Sequence, residues 1–192
     1  MISMALALAF GFLLGGVPFG LILGVLFRGI DVRTQGSGNI GATNVARVMG
    51  WGLGSATLLL DAAKGALPML WVAHHFEQPW MLPAAGLVAV LGHCYSPWLE
   101  FQGGKGVATA AGVMLVVSPK ATLLALICWG AAYGLTRKSS IGALTAIAAI
   151  QIGLWIFMPG WWLFGLMIAA ILLLRHRGNV QRLIDGTELK VR

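Results

Sequence analysis

Residues 36–50 read Gly-Ser-Gly-Asn-Ile-Gly-Ala-Thr-Asn-Val-Ala-Arg-Val-Met-Gly, a polar segment rich in small residues between two long apolar runs. Its first three glycines, Gly36, Gly38 and Gly41, let the backbone adopt positive φ. Successive N–H groups in such a turn form a concavity that suits an anion. The residues alone leave two interpretations open, a flexible linker between helices or an anion-binding loop.

The polar side chains of this segment offer the chemistry of an anion site. Ser37 and Asn39 lie between the glycines. We expect Thr43 or Asn44 to cap a following helix, whose N-terminus attracts phosphate. Arg47 adds a fixed positive fork that suits a phosphate or a carboxylate.

The composition predicts an integral membrane protein. The chain has 192 residues, of which 58% are hydrophobic and 10% charged, and its mean hydropathy is +0.86. A soluble domain has about 25% charged residues. The net charge of +7 would suggest nucleic acid in a soluble protein. Here the basic residues lie mainly between apolar runs and in the tail, which favours membrane topology and an anionic ligand, with no nucleic acid. Cys94 and Cys128 have neither a disulfide nor a metal spacing, so we expect them to pack in the interior.

The apolar runs predict an all-α protein with seven transmembrane helices in a single domain over residues 1–192. A spanning helix needs about 20 residues. The predicted spans are 2–27, 51–73, 80–98, 107–119, 121–136 and two helices within 141–174 that are divided at Pro159-Gly160. The first run also contains glycines and a proline that indicate close packing or a kink, namely Gly15, Gly16, Pro18 and Gly20.

The distribution of basic residues predicts the orientation. With seven spans, all 13 lysines and arginines except Lys64 and Lys120 fall on one side of the membrane or in the tail on that side. The positive-inside rule then puts the N-terminus outside and the C-terminus in the cytoplasm.

Three ionisable residues lie inside predicted spans. Asp61 and Lys64 are three residues apart on one helical face and can pair. Intramembrane charges usually face the bundle interior or a polar cavity, so a buried ion pair is the favoured interpretation and a substrate contact the alternative. His93 near the end of the third span is expected to be a packed, hydrogen-bonded residue.

The same topology puts three polar segments, 36–50, 101–109 and 175–188, on the cytoplasmic face. Lys105 in the second segment could be a snorkelling anchor. Its glycine neighbours favour a binding loop, although the segment is not a Walker loop. The third segment has basic residues that are expected to contact anionic lipid, Arg175, Arg177 and Arg182. His176 and Asn179 in that segment share one helical face, which favours a functional role.

The three segments together resemble the signature motifs of the bacterial PlsY family, the acyl-phosphate:glycerol-3-phosphate acyltransferases. We call residues 36–44, 101–109 and 176–188 the first, second and third motifs. The resemblance covers almost the whole chain in order and spacing, and it extends to Gly92-His93 and to residues 60–65.

The resemblance implies that glycerol 3-phosphate attacks a fatty acyl phosphate through its 1-hydroxyl and gives lysophosphatidic acid and inorganic phosphate, the first step of phospholipid synthesis. It implies a monomer in the bacterial inner membrane, with membrane lipids around it and the active site on the cytoplasmic face. No cofactor, metal, acyl-CoA or acyl carrier protein is expected. The catalytic residues that it implies are Ser37, Asn39, Arg47, Lys105, His176 and Asn179. The substrate-binding residues are Gly36, Gly38, Gly41, Thr43, Asn44, Gly103, Gly104, Gly106, Thr109, Ser140 and Glu188.

The predicted residues fit this chemistry. Two phosphates must approach each other against their repulsion, so Arg47 and Lys105 are expected to neutralise them. His176 is the obvious general base by residue type. An acyl phosphate is already activated, however, and a substrate phosphate could take the hydroxyl proton. Our hypothesis is substrate-assisted proton transfer, with His176 as a binding residue.

Three alternatives belong to other classes. A small transporter or channel for an anionic substrate would explain the intramembrane charges, but transporters usually have midplane sites and internal repeats. An acyltransferase of the His-x4-Asp type is excluded, because none of the four histidines is followed by aspartate at that spacing. A non-catalytic scaffold leaves Lys105 and its glycines unexplained.

Overall fold

The computed structural model describes residues 3–191 and is helical in all its regular segments. The chain divides into two compact units, Met1–Val116 and Val117–Arg192. The prediction of a single domain stays a prediction.

The N-terminal unit contains six α-helices within the described residues, joined by loops and two short 3-10 helices. The α-helices are α1 (Met4–Gly16), α2 (Phe19–Arg28), α3 (Ala42–Met49), α4 (Trp51–His75), α5 (Met81–Cys94) and α6 (Val107–Val117). The 3-10 helices are Val32–Thr34 and Pro97–Leu99. The last residue of α6 falls just past the boundary of the unit.

Small residues let these helices approach closely. A Cβ on Gly15 of α1 would run into the backbone of Ala89 in α5, and one on Gly65 of α4 would meet the Thr109 carbonyl in α6. Helix–helix packing in membranes relies on such small residues, because lipid provides no hydrophobic driving force between helices. At these two contacts the small residues therefore let the helix backbones of the N-terminal unit pack directly against each other.

The first predicted span is broken into α1 and α2, which meet at an angle of 42°. This confirms the kink that Pro18 indicates. Carbonyl groups freed near the break must be satisfied internally, since the bilayer core offers no water. Side chains that are distant in sequence donate to them: Trp98 Nε1 to Leu13 O at 3.0 Å, Ser96 Oγ to Gly16 O at 2.6 Å and Lys64 Nζ to Val17 O at 2.6 Å.

The C-terminal unit contains three α-helices within the described residues, α7 (Pro119–Thr136), α8 (Ser139–Phe157) and α9 (Trp162–Ile184). The predicted break at Pro159-Gly160 is confirmed, and a 3-10 helix over Pro159–Trp161 occupies it. The last helix is longer than the apolar pattern predicts, because α9 continues past the apolar run through most of the third motif.

The lengths of the helices bear on the number of membrane spans. Within residues 3–191, three helical stretches are long and apolar enough to cross a membrane, or four if the bent α1–α2 pair is one span. They are Trp51–His75, Ser139–Phe157 and Pro159–Ile184. The third and fourth predicted spans are shorter than expected, since α5 has 14 residues and α6 has 11. The seven-span topology and its orientation stay predictions.

Candidate functional site

The first motif is organised around the buried side chain of Asn44, which is 2% exposed. Its Nδ2 donates to the carbonyls of Val32 at 3.1 Å, Gln35 at 3.0 Å and Asn39 at 2.9 Å. An amide has two N–H groups, so these three carbonyls share them. Asn44 therefore holds the preceding loop against the start of α3.

The oxygen of the same amide is also engaged. Asn44 Oδ1 accepts from the backbone N–H of Ser37 at 2.8 Å and from Arg47 Nη1 at 3.0 Å. Asn44 thus fixes the orientation of the half-buried Arg47 relative to the loop. The structure gives Asn44 bracing contacts within the loop, which the sequence does not distinguish from substrate contacts.

The expectation that Thr43 or Asn44 caps α3 is wrong. The helix begins at Ala42, and its N-cap is Gly41, which has no side chain to accept a bond. The turn is made instead by Asn39, whose Oδ1 accepts from the Gly41 N–H at 2.9 Å. Thr43 and Asn44 lie in the first turn of the helix, and Thr43 is half-buried.

Two of the three glycines adopt positive φ, +60° at Gly36 and +69° at Gly38. A Cβ at Gly36 would also collide with Asn44 Oδ1. Ser37 between them is exposed. The loop therefore needs glycine at these two positions, and the exposed Ser37 between them has its backbone N–H held by Asn44.

The second motif lies against the end of α5. The Gly104 N–H donates to the His93 carbonyl at 2.9 Å, and a Cβ on Gly104 would collide with the His93 ring. A Cβ on Gly103 would likewise meet the His93 carbonyl. These glycines have a packing role that the sequence interpretation did not include.

The backbone of this loop is unusual just before and after its glycine pair. Glu100 and Phe101 have φ of 51° and 61°, a left-handed conformation that costs energy in residues with a Cβ. Gly106 has φ of +83°. Lys105, which is half-buried, precedes Gly106 directly, and α6 then begins with its fully buried Thr109 in the first turn.

The first two motifs line one cleft within the N-terminal unit, with a volume of about 400 Å³. The first motif contributes Gly38 and Ile40, and the second contributes Gln102 and Gly103. The other lining residues are Arg33, Trp98, Leu99 and Glu100. Arg47, which lies on α3 just after the first motif, and Lys105 of the second motif are not among the lining residues of this cleft.

Arg33 is a basic residue of the cleft that sequence reasoning missed, because it was used only as a topology signal. It forms a two-pronged pair with Asp31, with Nη2–Oδ2 at 2.6 Å and Nε–Oδ1 at 3.0 Å. Hydrogen bonds from the Arg33 side chain and backbone lower the pKa of Asp31. Its position three residues before Gly36 is the sequence feature that could have indicated its place at the cleft. The pair presents a permanently charged guanidinium, with Glu100 close enough to act on it electrostatically.

The third motif lies in the C-terminal unit, where α9 places His176 and Asn179 one turn apart, as predicted. Both are buried, at 2% and 4% exposed. His176 Nδ1 lies 2.7 Å from the Leu172 carbonyl. A carbonyl can only accept, so Nδ1 carries the proton, and a neutral ring has its lone pair on Nε2.

The end of the third motif folds back onto α9 through Glu188. Its Oε1 accepts from Asn179 Nδ2 at 2.6 Å, and its Oε2 accepts from Arg182 Nε at 2.8 Å. The buried Ser140 hydroxyl also faces this carboxylate without the geometry of a full hydrogen bond. Burial raises the pKa of Glu188, but the nearby Ser140 hydroxyl, the hydrogen bonds from Asn179 and Arg182 and the charge of Arg182 together outweigh it, so the pKa is lowered.

The predicted ion pair inside α4 is confirmed. Lys64 Nζ lies 2.7 Å from Asp61 Oδ1, and both residues are 1% exposed. Within residues 3–191, no three His, Cys, Asp or Glu side chains come together as a metal site. Within residues 3–191 neither Cys94 nor Cys128 forms a disulfide, and Cys94 is buried.

Comparison with known proteins decides the family. The family model for glycerol-3-phosphate acyltransferase matches residues 5–186. The chain belongs to this family. Among curated glycerol-3-phosphate acyltransferases, that of Anaeromyxobacter sp. strain Fw109-5 is 48% identical over 193 residues, covering 96% of this chain and 94% of the relative. That of Myxococcus xanthus strain DK1622 is 47% identical over 191 residues, covering 93% and 94%.

Solved structures of the glycerol-3-phosphate acyltransferase family have the same fold. PlsY (YgiH), described as an integral membrane glycerol 3-phosphate acyltransferase, matches in its glycerol 3-phosphate form with a TM-score of 0.92 and 36% identity, covering 98% of this chain and 96% of that chain. Its lysophosphatidic acid form matches with a TM-score of 0.90 and 36% identity, covering 98% and 95%. The resemblance to the PlsY family is therefore confirmed, and the chain is an integral membrane protein of that family.

Proposed function

We propose that this protein transfers a fatty acyl group from acyl phosphate to the 1-hydroxyl of glycerol 3-phosphate. The hydroxyl oxygen attacks the acyl carbonyl carbon, and the bond between that carbon and the phosphate oxygen breaks. The hydroxyl proton ends on the departing phosphate. The products are lysophosphatidic acid and inorganic phosphate, so atoms and charge balance without a cofactor.

The observation that carries the proposal is the cleft of about 400 Å³ that the first and second motifs share. Glycine-rich backbone faces this cleft from both sides, at Gly38 and Gly103. Family membership supports glycerol 3-phosphate as the acceptor. The solved PlsY structures in glycerol 3-phosphate and lysophosphatidic acid forms support the proposed acceptor and product.

Arg47 and Lys105 are the proposed phosphate ligands. Two phosphates carry several negative charges, and fixed cations lower the energy of bringing them together. Arg47 is already oriented by its hydrogen bond to Asn44. Lys105 follows a backbone that is packed against α5, and it would stabilise the phosphate as it leaves.

The loop groups around these cations are the proposed hydrogen-bond donors. Ser37 and Asn39 would bind a phosphate or the developing carbonyl oxyanion, together with nearby backbone N–H groups. Asn44 acts in this proposal as a positioning residue, because its amide is engaged within the loop. The other proposed substrate-binding residues of these two motifs are Gly36, Gly38, Gly41, Thr43, Gly103, Gly104, Gly106 and Thr109.

His176 and Asn179 are proposed to orient the glycerol group, with Ser140 and Glu188 supporting Asn179. A neutral His176 has its lone pair on Nε2, which suits accepting a hydrogen bond from a hydroxyl. The substrate phosphate takes the proton in this proposal. An acyl phosphate has a good leaving group and does not need a strong base.

The proposal includes the sequence-based topology. The protein would be a monomer with seven spans in the bacterial inner membrane, with its N-terminus outside and the motifs on the cytoplasmic side. It would use neither acyl-CoA nor acyl carrier protein. The transporter alternative gains no support from the Asp61–Lys64 pair, since Lys64 is engaged with Val17 inside the N-terminal unit.

The direct test uses purified protein with palmitoyl phosphate and glycerol 3-phosphate, without CoA or carrier protein. We expect equal amounts of lysophosphatidic acid and phosphate, and no product when palmitoyl-CoA is the only donor. Arg47→Ala should abolish turnover while the protein still inserts into the membrane. Arg28→Ala, at the exposed last residue of α2, is the matched control and should turn over normally. Absence of product from the wild-type protein would refute the proposed reaction.

The role of His176 needs a separate measurement. If His176 binds substrate, His176→Ala should raise the KM for glycerol 3-phosphate and leave the shape of the pH–rate profile unchanged. Near-complete loss of turnover at unchanged substrate affinity would show instead that His176 is the general base.

A further inference from the structure

A buried polar chain begins at Lys64 in the N-terminal unit. Lys64 Nζ donates to the Val17 carbonyl at 2.6 Å, at the break between α1 and α2, and pairs with Asp61 Oδ1 at 2.7 Å. Both charged side chains are almost fully buried. In a membrane, such charges persist only where they are paired and held by neighbouring groups.

The chain continues to His93 on α5. His93 Nδ1 lies 3.8 Å from Asp61 Oδ1, and His93 is 3% exposed. This distance is too long for a hydrogen bond but within reach of electrostatic attraction. The carboxylate therefore favours a ring orientation that turns Nδ1 towards α4.

The opposite edge of the His93 ring supports the second motif. The ring atom that a Cβ on Gly104 would strike first is Nε2, on the far side of the imidazole from Nδ1. The His93 carbonyl also accepts from the Gly104 N–H at 2.9 Å. His93 therefore contacts Gly104 through both its side chain and its backbone, and Lys105 is the next residue.

We infer that His93 is a positioning residue for Lys105, with the Asp61–Lys64 pair fixing the His93 ring from behind. The inference rests on the proposed function of Lys105 as a phosphate ligand. A cation contributes most to catalysis when it is held in place before the substrate arrives. The buried chain contacts the glycine loop at Gly104, directly before Lys105.

The first test measures the position of Lys105 without reference to activity. Detergent-purified protein is treated with a limiting amine-acetylating reagent, and acetylation of each lysine is quantified by mass spectrometry. His93→Asn removes the ring from beneath Gly104, and His93→Phe keeps a ring but removes its nitrogens. We expect the ratio of Lys105 to Lys120 labelling to rise by about 5-fold or more in His93→Asn, because the loop opens locally. We expect a smaller rise in His93→Phe.

Lys120 and His74 provide the controls, since both are exposed. His74→Asn should leave the Lys105 to Lys120 ratio unchanged. An unchanged ratio in both His93 variants would overturn the inference. A uniform rise at every lysine would also overturn it, because it would show general unfolding and no specific effect on the loop.

The second test is a double-mutant cycle on kcat/KM with palmitoyl phosphate. His93→Asn is expected to lower kcat/KM by about 100-fold, as a small displacement of a catalytic group can. In a Lys105→Arg background the same change should cost less than about 3-fold, since its effect passes through Lys105. Full multiplicative losses would refute a link between the two residues.

The two tests separate the inference from the proposed function. If the wild-type protein makes no lysophosphatidic acid but the His93 variants still change the Lys105 to Lys120 labelling ratio, the proposed reaction is refuted and the positioning contact stands. Normal wild-type turnover with no effect of the His93 variants on either readout would refute the positioning role alone.

Discussion

Replacing Lys64 by methionine should lower the free energy of unfolding of this protein strongly, although the two side chains are similar in shape. The substitution keeps an unbranched side chain but removes an ammonium that lies 2.7 Å from Asp61 and 2.6 Å from the Val17 carbonyl. Removing one partner of a buried ion pair costs about 3–5 kcal/mol. A buried carbonyl left without a donor costs about 1–3 kcal/mol more. The expected loss of roughly 4–8 kcal/mol is comparable with the whole stability of many proteins, about 5–15 kcal/mol.

The double variant Asp61→Asn/Lys64→Met separates these two contributions. It removes both charges and leaves mainly the unsatisfied Val17 carbonyl, so we expect a loss of only about 1–3 kcal/mol. The double variant should therefore be more stable than Lys64→Met alone. The assay is thermal unfolding in one detergent, with size-exclusion chromatography to measure the folded fraction. Lys120→Met, at an exposed lysine, is the control and should unfold like wild type.

Two results would refute this reasoning. If Lys64→Met unfolds like Lys120→Met, the ammonium does not hold the break between α1 and α2. If the double variant is as unstable as Lys64→Met, the loss does not come from an uncompensated carboxylate at Asp61.

Three further predictions concern the first loop, the packing of α4 and the third motif. Asn44→Asp points a carboxylate oxygen at carbonyls that now receive N–H groups, so turnover should fall by about 100-fold; normal kcat/KM would contradict the bracing role. Gly65→Ala drives a Cβ into the Thr109 carbonyl and should lower the Tm. Gly52→Ala in the same helix meets open space and should leave the Tm unchanged or slightly raised. Equal Tm values for the two variants would be inconsistent with close packing of α4. The lowered pKa of Glu188 contributes stability above its unfolded pKa of about 4.3, which is lost as pH falls through the folded value. The Tm of wild type should therefore fall more steeply below about pH 4.3 than that of Glu188→Gln, and parallel curves would exclude this linkage.

The features of the fold that depend on local sequence were predictable. The second predicted span, 51–73, is α4 at Trp51–His75, because an uninterrupted apolar run with one face for the charged pair is a local signal. The kink at Pro18 and the break at Pro159 follow from the chemistry of proline, which removes a backbone donor.

The features that depend on distant contacts were not predictable from one sequence. The acceptor for Lys64 lies 47 residues away at Val17, and the acceptor for Ser96 lies 80 residues away at Gly16. No pattern within either segment indicates its partner. The end of α9 was placed too early for a related reason, since an amphipathic continuation of an apolar helix resembles a polar tail in composition.

The candidate site likewise has features that residue type predicts and features that it does not. Positive φ at Gly36 and Gly38 could be expected from residue type alone. The inward direction of Asn44 could not, because an amide that binds substrate and an amide that braces a loop have identical sequence signals. The packing of Gly104 against the His93 ring was not predictable either. A glycine in the sequence does not show whether a phosphate or a histidine ring comes close to it.

Both glycine loops of the N-terminal unit are held from beneath by one buried polar residue. Asn44 ties the first loop to α3 and reaches Arg47, while His93 supports the second loop directly before Lys105. A proposed phosphate ligand lies beside each of these supports: Arg47 on α3 donates to Asn44, and Lys105 follows Gly104, whose N–H donates to the His93 carbonyl. Stabilisation of a developing charge is strongest when the protein's dipoles and cations need not move during the reaction. The glycines therefore serve a site of this kind in two ways: they expose backbone N–H groups to an anion, and they let the loop lie close enough to its buried support to stay in place.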